Sequence, residues 1–117
     1  MEKKNEVLDL SFEFAVEVIT YCDLLEEKKK YVLSRQLLRS GTSVGANIRE
    51  AQNAESSPDF IHKLKIAAKE AEETQYWLQL CQKSENYPDP GNLLQHLESI
   101  RKLLNTIIAT MKRKSNG

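Results

Sequence analysis

The side chains best suited to chemistry in this 117-residue chain are two histidines, two cysteines and a glycine-flanked hydroxyl run. His62 follows Asp59 at the i, i+3 spacing used by carboxylate-bridged di-metal sites in helical bundles. His96 has Leu93 at the same offset, so the second half of such a site is missing. Both histidines read as exposed helix residues, and neither a metal nor a cofactor is expected. Cys22 and Cys81 belong to no Cys-x-x-Cys or Cys/His cluster. On apolar helical stripes they read as small buried hydrophobes, unpaired in a reducing compartment. Gly41-Thr42-Ser43-Val44-Gly45 lacks the Gly-Lys-Ser/Thr that would complete a phosphate loop. No Ser/His/Asp or Cys/His set stands out, and nothing marks a carboxylate pair as catalytic. The expectation is a protein that is not an enzyme and acts through its surfaces.

Charge is the next source of chemistry. The chain holds 17 basic and 17 acidic residues, but the signs are segregated. Residues 1–27 carry eight acids against Lys3 and Lys4, whereas residues 28–49 carry six cations and no acid. Residues 50–99 carry nine acids against four lysines, and residues 100–117 carry five cations and no acid. Mutual neutralisation of alternating acidic and basic helices is one account, and exposed pairs of that kind contribute little each. A nucleic-acid surface is the other, with Arg35, Arg39, Arg49, Lys112, Arg113 and Lys114 as the candidate contacts. A sequence pI near 6.7 is lower than a dedicated nucleic-acid domain shows, so composition alone favours scaffold burial or protein contact. Several weak patches repeated in an oligomer still act together on a phosphate backbone.

Four helices must position these groups. The first spans residues 4–25 and carries two adjacent apolar stripes: Leu8, Phe12, Ala15, Ile19 and Cys22, then Val7, Phe14, Val18, Tyr21 and Leu25. That is wider than the stripe of an ordinary surface helix. Either a second subunit or a generous core covers it. The apolar phase fails at Glu26 to Lys30, which places a turn there without Gly or Pro. The second helix spans residues 29–53, with Leu37, Leu38, Gly41, Val44, Gly45, Ile48 and Ala51 in helical phase. A helix-interior glycine costs about 1 kcal/mol relative to Ala. Two on one stripe therefore imply that a neighbouring helix presses close, and Ala67, Ala68 and Ala71 suit that contact. The competing reading makes Ser40 to Ser43 a turn. Ser57-Pro58-Asp59 predicts an N-cap, a first-turn proline and a first-turn acid for the third helix, spanning 58–83. The loop from Asn86 to Asn92 precedes the fourth helix, spanning 90–113, with Asp89 or Asn92 as its cap.

These elements predict an all-α, antiparallel up-down-up-down four-helix bundle, with residues 1–117 as a single domain. In that layout Lys3, Lys4, Arg49, Lys63, Lys65 and Lys112 to Lys114 gather near one end, diluted by Glu2, Glu6, Glu50, Glu55 and Asp59. Arg39, Asn47, Glu70, Glu73 and Trp77 read as structural polar residues. An Arg39–Glu73 pair, within one chain or between chains, would fix a helix seam. Trp77 needs a partner for its indole N–H. A base-stacking role for Tyr76 or Trp77 is the functional alternative to packing. No apolar run reaches membrane-spanning length. The amino terminus lacks a signal-peptide pattern, and a cytoplasmic location is expected.

Ser34-Arg35-Gln36-Leu37-Leu38-Arg39, followed by Ser40-Gly41-Thr42-Ser43-Val44-Gly45-Ala46-Asn47-Ile48-Arg49-Glu50-Ala51, carries a family resemblance. Asp59-Phe60, Lys69-Glu70-Ala71 and Glu73-Thr74 leading to Tyr76-Trp77-Leu78 carry it further. These segments resemble the four-helix-bundle proteins encoded in intervening sequences of bacterial 23S rRNA genes. Some members bear a ribosomal-protein label, which reflects gene location. The family is in turn similar to a homopentamer-forming, nucleic-acid-binding accessory protein of diversity-generating retroelements. The resemblance implies an antiparallel four-helix bundle, self-association, with a pentamer the indicated state, and contact with structured RNA. It implies no catalytic residues. The alternative is a protein-interaction scaffold with no nucleic-acid role.

Overall fold

Three lysines reverse the chain between its first two helices, and the reversal uses a left-handed residue that is not glycine. In the computed structural model, which describes residues 5–116, the helices are α1 (Glu6–Glu27), α2 (Tyr31–Ala51), α3 (Ser57–Lys83) and α4 (Leu93–Asn116). Lys29 has φ +62°; its N–H donates to the Glu26 carbonyl (2.9 Å) and the Lys30 N–H to the Leu25 carbonyl (2.8 Å). This paired closure satisfies two of the carbonyls that a helix end leaves without partners.

The other boundaries follow their caps. Asn5 accepts from the Leu8 N–H at the start of α1. At α3 the cap is Ser56, not Ser57: its hydroxyl accepts from the Asp59 N–H at 3.2 Å. The Asp59 carboxylate reaches back to the Glu55 N–H, also at 3.2 Å. Pro58 accordingly sits at the second helical position, where its missing donor still costs nothing. α4 begins at Leu93, three residues later than the expected 90, because the Pro88–Gly91 segment turns first, with Gly91 at φ +60°. The Asn92 carbonyl then takes the His96 N–H. Residues 1–4, including Glu2, Lys3 and Lys4, lie outside the described residues.

α2 is helical without interruption from Tyr31 to Ala51, so residues 40–45 form no turn. Each helix packs on its chain neighbours, and α1 closes the ring on α4. Fully or almost fully buried side chains include Phe14, Val18 and Leu25 of α1, Leu37, Val44 and Ile48 of α2, Leu64 and Leu78 of α3, and Leu97, Ile100 and Leu104 of α4. Burying each such large apolar side chain contributes about 1.5–3 kcal/mol.

The glycines face a different neighbour from the one expected. A Cβ on Gly41 would lie 2.9 Å from Val18 Cγ1, and one on Gly45 would lie 3.2 Å from the Ser11 carbonyl oxygen, both on α1. Ala67 and Ala71 are fully buried on α3 and supply none of the nearest atoms to either added Cβ. Successive residues of a helix point 100° apart. Ser40 is turned toward α3, where its hydroxyl stands 2.9 Å from that of Thr74, so Gly41 turns toward α1. The same rotation puts Leu38 outside: it is 39% exposed, against the expected core position.

No Cα of α1 comes within 8 Å of a Cα of α3. Cys22 and Cys81 sit on those two helices, beyond the Cα separation a disulfide spans, and both are free and buried. Burial pushes the Cys22 thiol up to about 11 and raises that of Cys81 as well. Cys22 and Ser34 tie the α1–α2 seam: the Ser34 hydroxyl donates to the Cys22 carbonyl at 3.3 Å. Tyr21 donates its hydroxyl to the Pro88 carbonyl, and Lys30 lies 4.7 Å over the Tyr87 ring, so the two loops at that end hold each other.

Candidate functional site

Helix α1 leaves part of its apolar surface out of the core: Cys22 of the first stripe is buried, but Phe12 and Ile19 are not, and Val16, outside both stripes, joins them. Phe14, Val18, Tyr21 and Leu25 are buried, whereas Phe12 is 59% exposed, Val16 49% and Ile19 47%. Their i, i+4, i+7 spacing aligns them along one side of the helix. Leu24, Tyr31, Val32 and Leu38 are exposed as well. Apart from Tyr76, every exposed large hydrophobic among the described residues therefore belongs to α1 or α2. An open cleft of about 280 Å³ runs beside this strip, with Leu8, Phe12 and Ala15 on one wall and Thr42, Gly45, Ala46 and Arg49 on the other. The small residues of α2 leave that space. Glu6, Asp9 and Glu13 line its continuation toward the start of α1.

The six candidate cations do not form one patch. Arg35 and Arg49 are exposed on α2, 14 positions apart and so about 21 Å along the axis. Lys112, Arg113 and Lys114 are exposed on the last turns of α4. The antiparallel course places them at the pole of Arg49, away from Arg35. Lys63 and Lys65 belong to that pole too, and Lys63 is committed to Glu50 at 3.5 Å.

Arg39 is structural, and its partners lie within the same chain. Its guanidinium pairs with Glu70 at 3.2 Å and with Glu73 across the α2–α3 seam. Glu73 also accepts from the Trp77 indole N–H at 2.9 Å. The indole first, and the Arg39 guanidinium second, hold the Glu73 carboxyl below its usual range. Tyr76 meets Trp77 edge-on at 5.2 Å and is exposed. Asn47 spans no seam: its amide donates to the Ser43 carbonyl one turn back at 2.9 Å.

Several contacts escaped the sequence analysis. His96 Nδ1 lies 2.8 Å from Glu17, joining α4 to α1. Ser11, Ser34 and Ser40 are buried, as is Thr74, which the apolar period of α3 had already placed on its core stripe. The signal for Ser34 and Ser40 was present, since they fall on the stripe of Leu37, Gly41 and Val44. No period identifies the glutamate that a histidine meets on another helix. Among the described residues no three His, Cys, Asp or Glu side chains group as a metal would require. No helix there is long and apolar enough to cross a membrane.

The class these features define is an all-α four-helix bundle with one apolar flank left open and its polar seam closed internally. Residues 3–106 match the family model of the 23S rRNA-intervening sequence protein, and the chain belongs to that family. It is also similar to a crystal structure, at 1.70 Å resolution, of a protein of unknown function from the S23 ribosomal protein family of Bacteroides thetaiotaomicron VPI-5482. That likeness has 50% identity and a TM-score of 0.82 over 87% of this chain and 97% of the other. No curated protein matches the sequence.

Proposed function

We propose that this chain is a non-enzymatic, cytoplasmic protein that self-associates through the α1–α2 flank and binds structured RNA through cations of α2 and α4. The exposed line of Phe12, Val16 and Ile19 carries this reading, because three half-exposed apolar side chains in helical register are costly to leave in water. Burying their exposed halves gains about 1 kcal/mol each. A pentamer is the assembly the family resemblance implies. Arg49 borders the same cleft, and Arg35 is exposed on the same helix. Assembly would therefore repeat weak cationic positions and add their phosphate contacts. Arg39, tied to Glu70 and Glu73, serves the fold.

The scaffold reading remains the second one. The exposed Tyr76 beside the acids of α3 supports it, since aromatic residues anchor protein interfaces. Native mass spectrometry with and without an RNA hairpin tests both parts. Wild type should assemble and retain the hairpin at low salt, and Phe12→Asp with Ile19→Asp should dissociate it. A monomer at all concentrations refutes the assembly reading. A hairpin that never binds, with one protein recovered from nuclease-treated extract, favours the scaffold.

A further inference from the structure

The family match stops at residue 106, but α4 continues without a break to Asn116. The added segment is about 15 Å of helix. Its two sides differ. Ile107 and Ile108 are partly buried against the core, which keeps the rod attached to the bundle. Lys112, Arg113 and Lys114 are exposed, and none joins an ion pair among the described residues. Among the described residues the Arg113 guanidinium hydrogen-bonds to the neighbouring Thr110 hydroxyl, at 3.4 Å. The acids of the same pole, Glu6, Glu50, Glu55 and Asp59, dilute the field there but form no ion pair with the three cations among the described residues. Three cations exceed the roughly half charge of a helix C-terminus, so neutralising the dipole leaves a surplus.

We propose that this extension of α4 is a phosphate-backbone contact for duplex RNA, in which Lys112, Arg113 and Lys114 grip without reading sequence. The proposal rests on the RNA reading above and assigns its main contact to the segment outside the family match. Three consecutive helical residues fan across about 200°. A flat anionic membrane meets one or two such heads, whereas a nucleic-acid groove with phosphates on both walls meets all three. Ile107 and Ile108 are partly committed to the bundle, which leaves little apolar surface on this segment for lipid.

The test is fluorescence anisotropy with a labelled RNA hairpin bearing a fully paired stem, measured across a salt series. The proteins are wild type, a triple variant (Lys112→Glu, Arg113→Glu, Lys114→Glu), its milder counterpart with Gln at the same positions, and Arg35→Glu. Loss of three phosphate contacts should flatten the plot of log affinity against log salt by about 2–3 and weaken binding at least about tenfold at low salt. The Gln variant should do the same if the Glu variant is misfolded. Arg35→Glu should change the slope by about 1 or less. If wild type binds and both triple variants keep its slope, the extension is not the contact, while the RNA reading survives. If wild type does not bind the hairpin, the RNA reading fails and this assignment with it. Salt-sensitive capture by phosphatidylserine vesicles in place of the hairpin also overturns it.

Discussion

Gly41 of α2 lies so close to Val18 of α1 that an added methyl would stand 2.9 Å from one Val18 Cγ and 3.0 Å from the other. Val18 is fully buried and β-branched, so it has few rotamers to move into. Gly41→Ala gains about 1 kcal/mol of helix propensity but meets an overpacking cost of about 1–3 kcal/mol. Net destabilisation of about 1 kcal/mol is expected in urea unfolding. Combined with Val18→Ala, the loss should fall short of the sum of the single losses by about 1 kcal/mol, because one change vacates the space the other needs. Gly45→Ala meets a backbone oxygen at 3.2 Å and should cost less than Gly41→Ala.

Lys29 holds φ +62° where glycine is the usual occupant. The left-handed conformation costs an L residue about 1–2 kcal/mol, partly offset by the greater freedom glycine has when unfolded. Lys29→Gly should therefore stabilise the protein by about 0.5–1 kcal/mol, measured as a higher thermal midpoint. An unchanged or lower midpoint would show that the lysine gains something the turn geometry does not reveal.

The identity of the α3 cap separates two adjacent serines. Ser56→Ala removes the acceptor of the Asp59 N–H and should cost about 1 kcal/mol. Ser57→Ala, at the first helical position, should stay within about 0.5 kcal/mol of wild type. Denaturant midpoints with a common slope distinguish them directly.

Trp77→Phe should raise the Glu73 carboxyl titration seen by NMR, since the indole N–H is the largest cause of its lowering. A carboxyl with a depressed folded-state pKa stabilises above the ordinary carboxylate range. That contribution fades as the pH falls through the lowered value. The wild type should therefore lose a small increment below the usual carboxylate range, and the variant should lose less. The increment is well under about 1 kcal/mol, because the Glu73 side chain is itself 35% exposed and screened by solvent.

The course of α2 was legible because an apolar stripe reports helical phase even where glycine interrupts composition. Which neighbour the stripe meets was not legible: Gly41 and Ser40 differ by one residue and face different helices. The stripe of Leu8, Phe12, Ala15, Ile19 and Cys22 held two members of the open flank, Phe12 and Ile19, but not Val16, and its Cys22 is buried; which of these face solvent depends on where α2 and α4 lie. Arg39 with Glu73 followed from charge on adjacent helices. Asn47 did not follow, because a short amide satisfies itself on its own helix as readily as on the next. Ser56 and Ser57 are equally good caps by type, and only the point where the chain turns helical separates them. The cations of α2 and α4 were visible as charge, but their division between two regions depends on distance along the helices.

The tight reversal at Lys29 and the distant meeting of His96 with Glu17, 79 positions apart, imply an order of assembly. The α1–α2 hairpin closes over a short stretch of chain and brings its glycine seam together at little entropic cost, whereas the α1–α4 edge encloses most of the polypeptide. Loop closure thus favours the hairpin forming before that edge, and makes α4 parting from α1 the expected first step of opening.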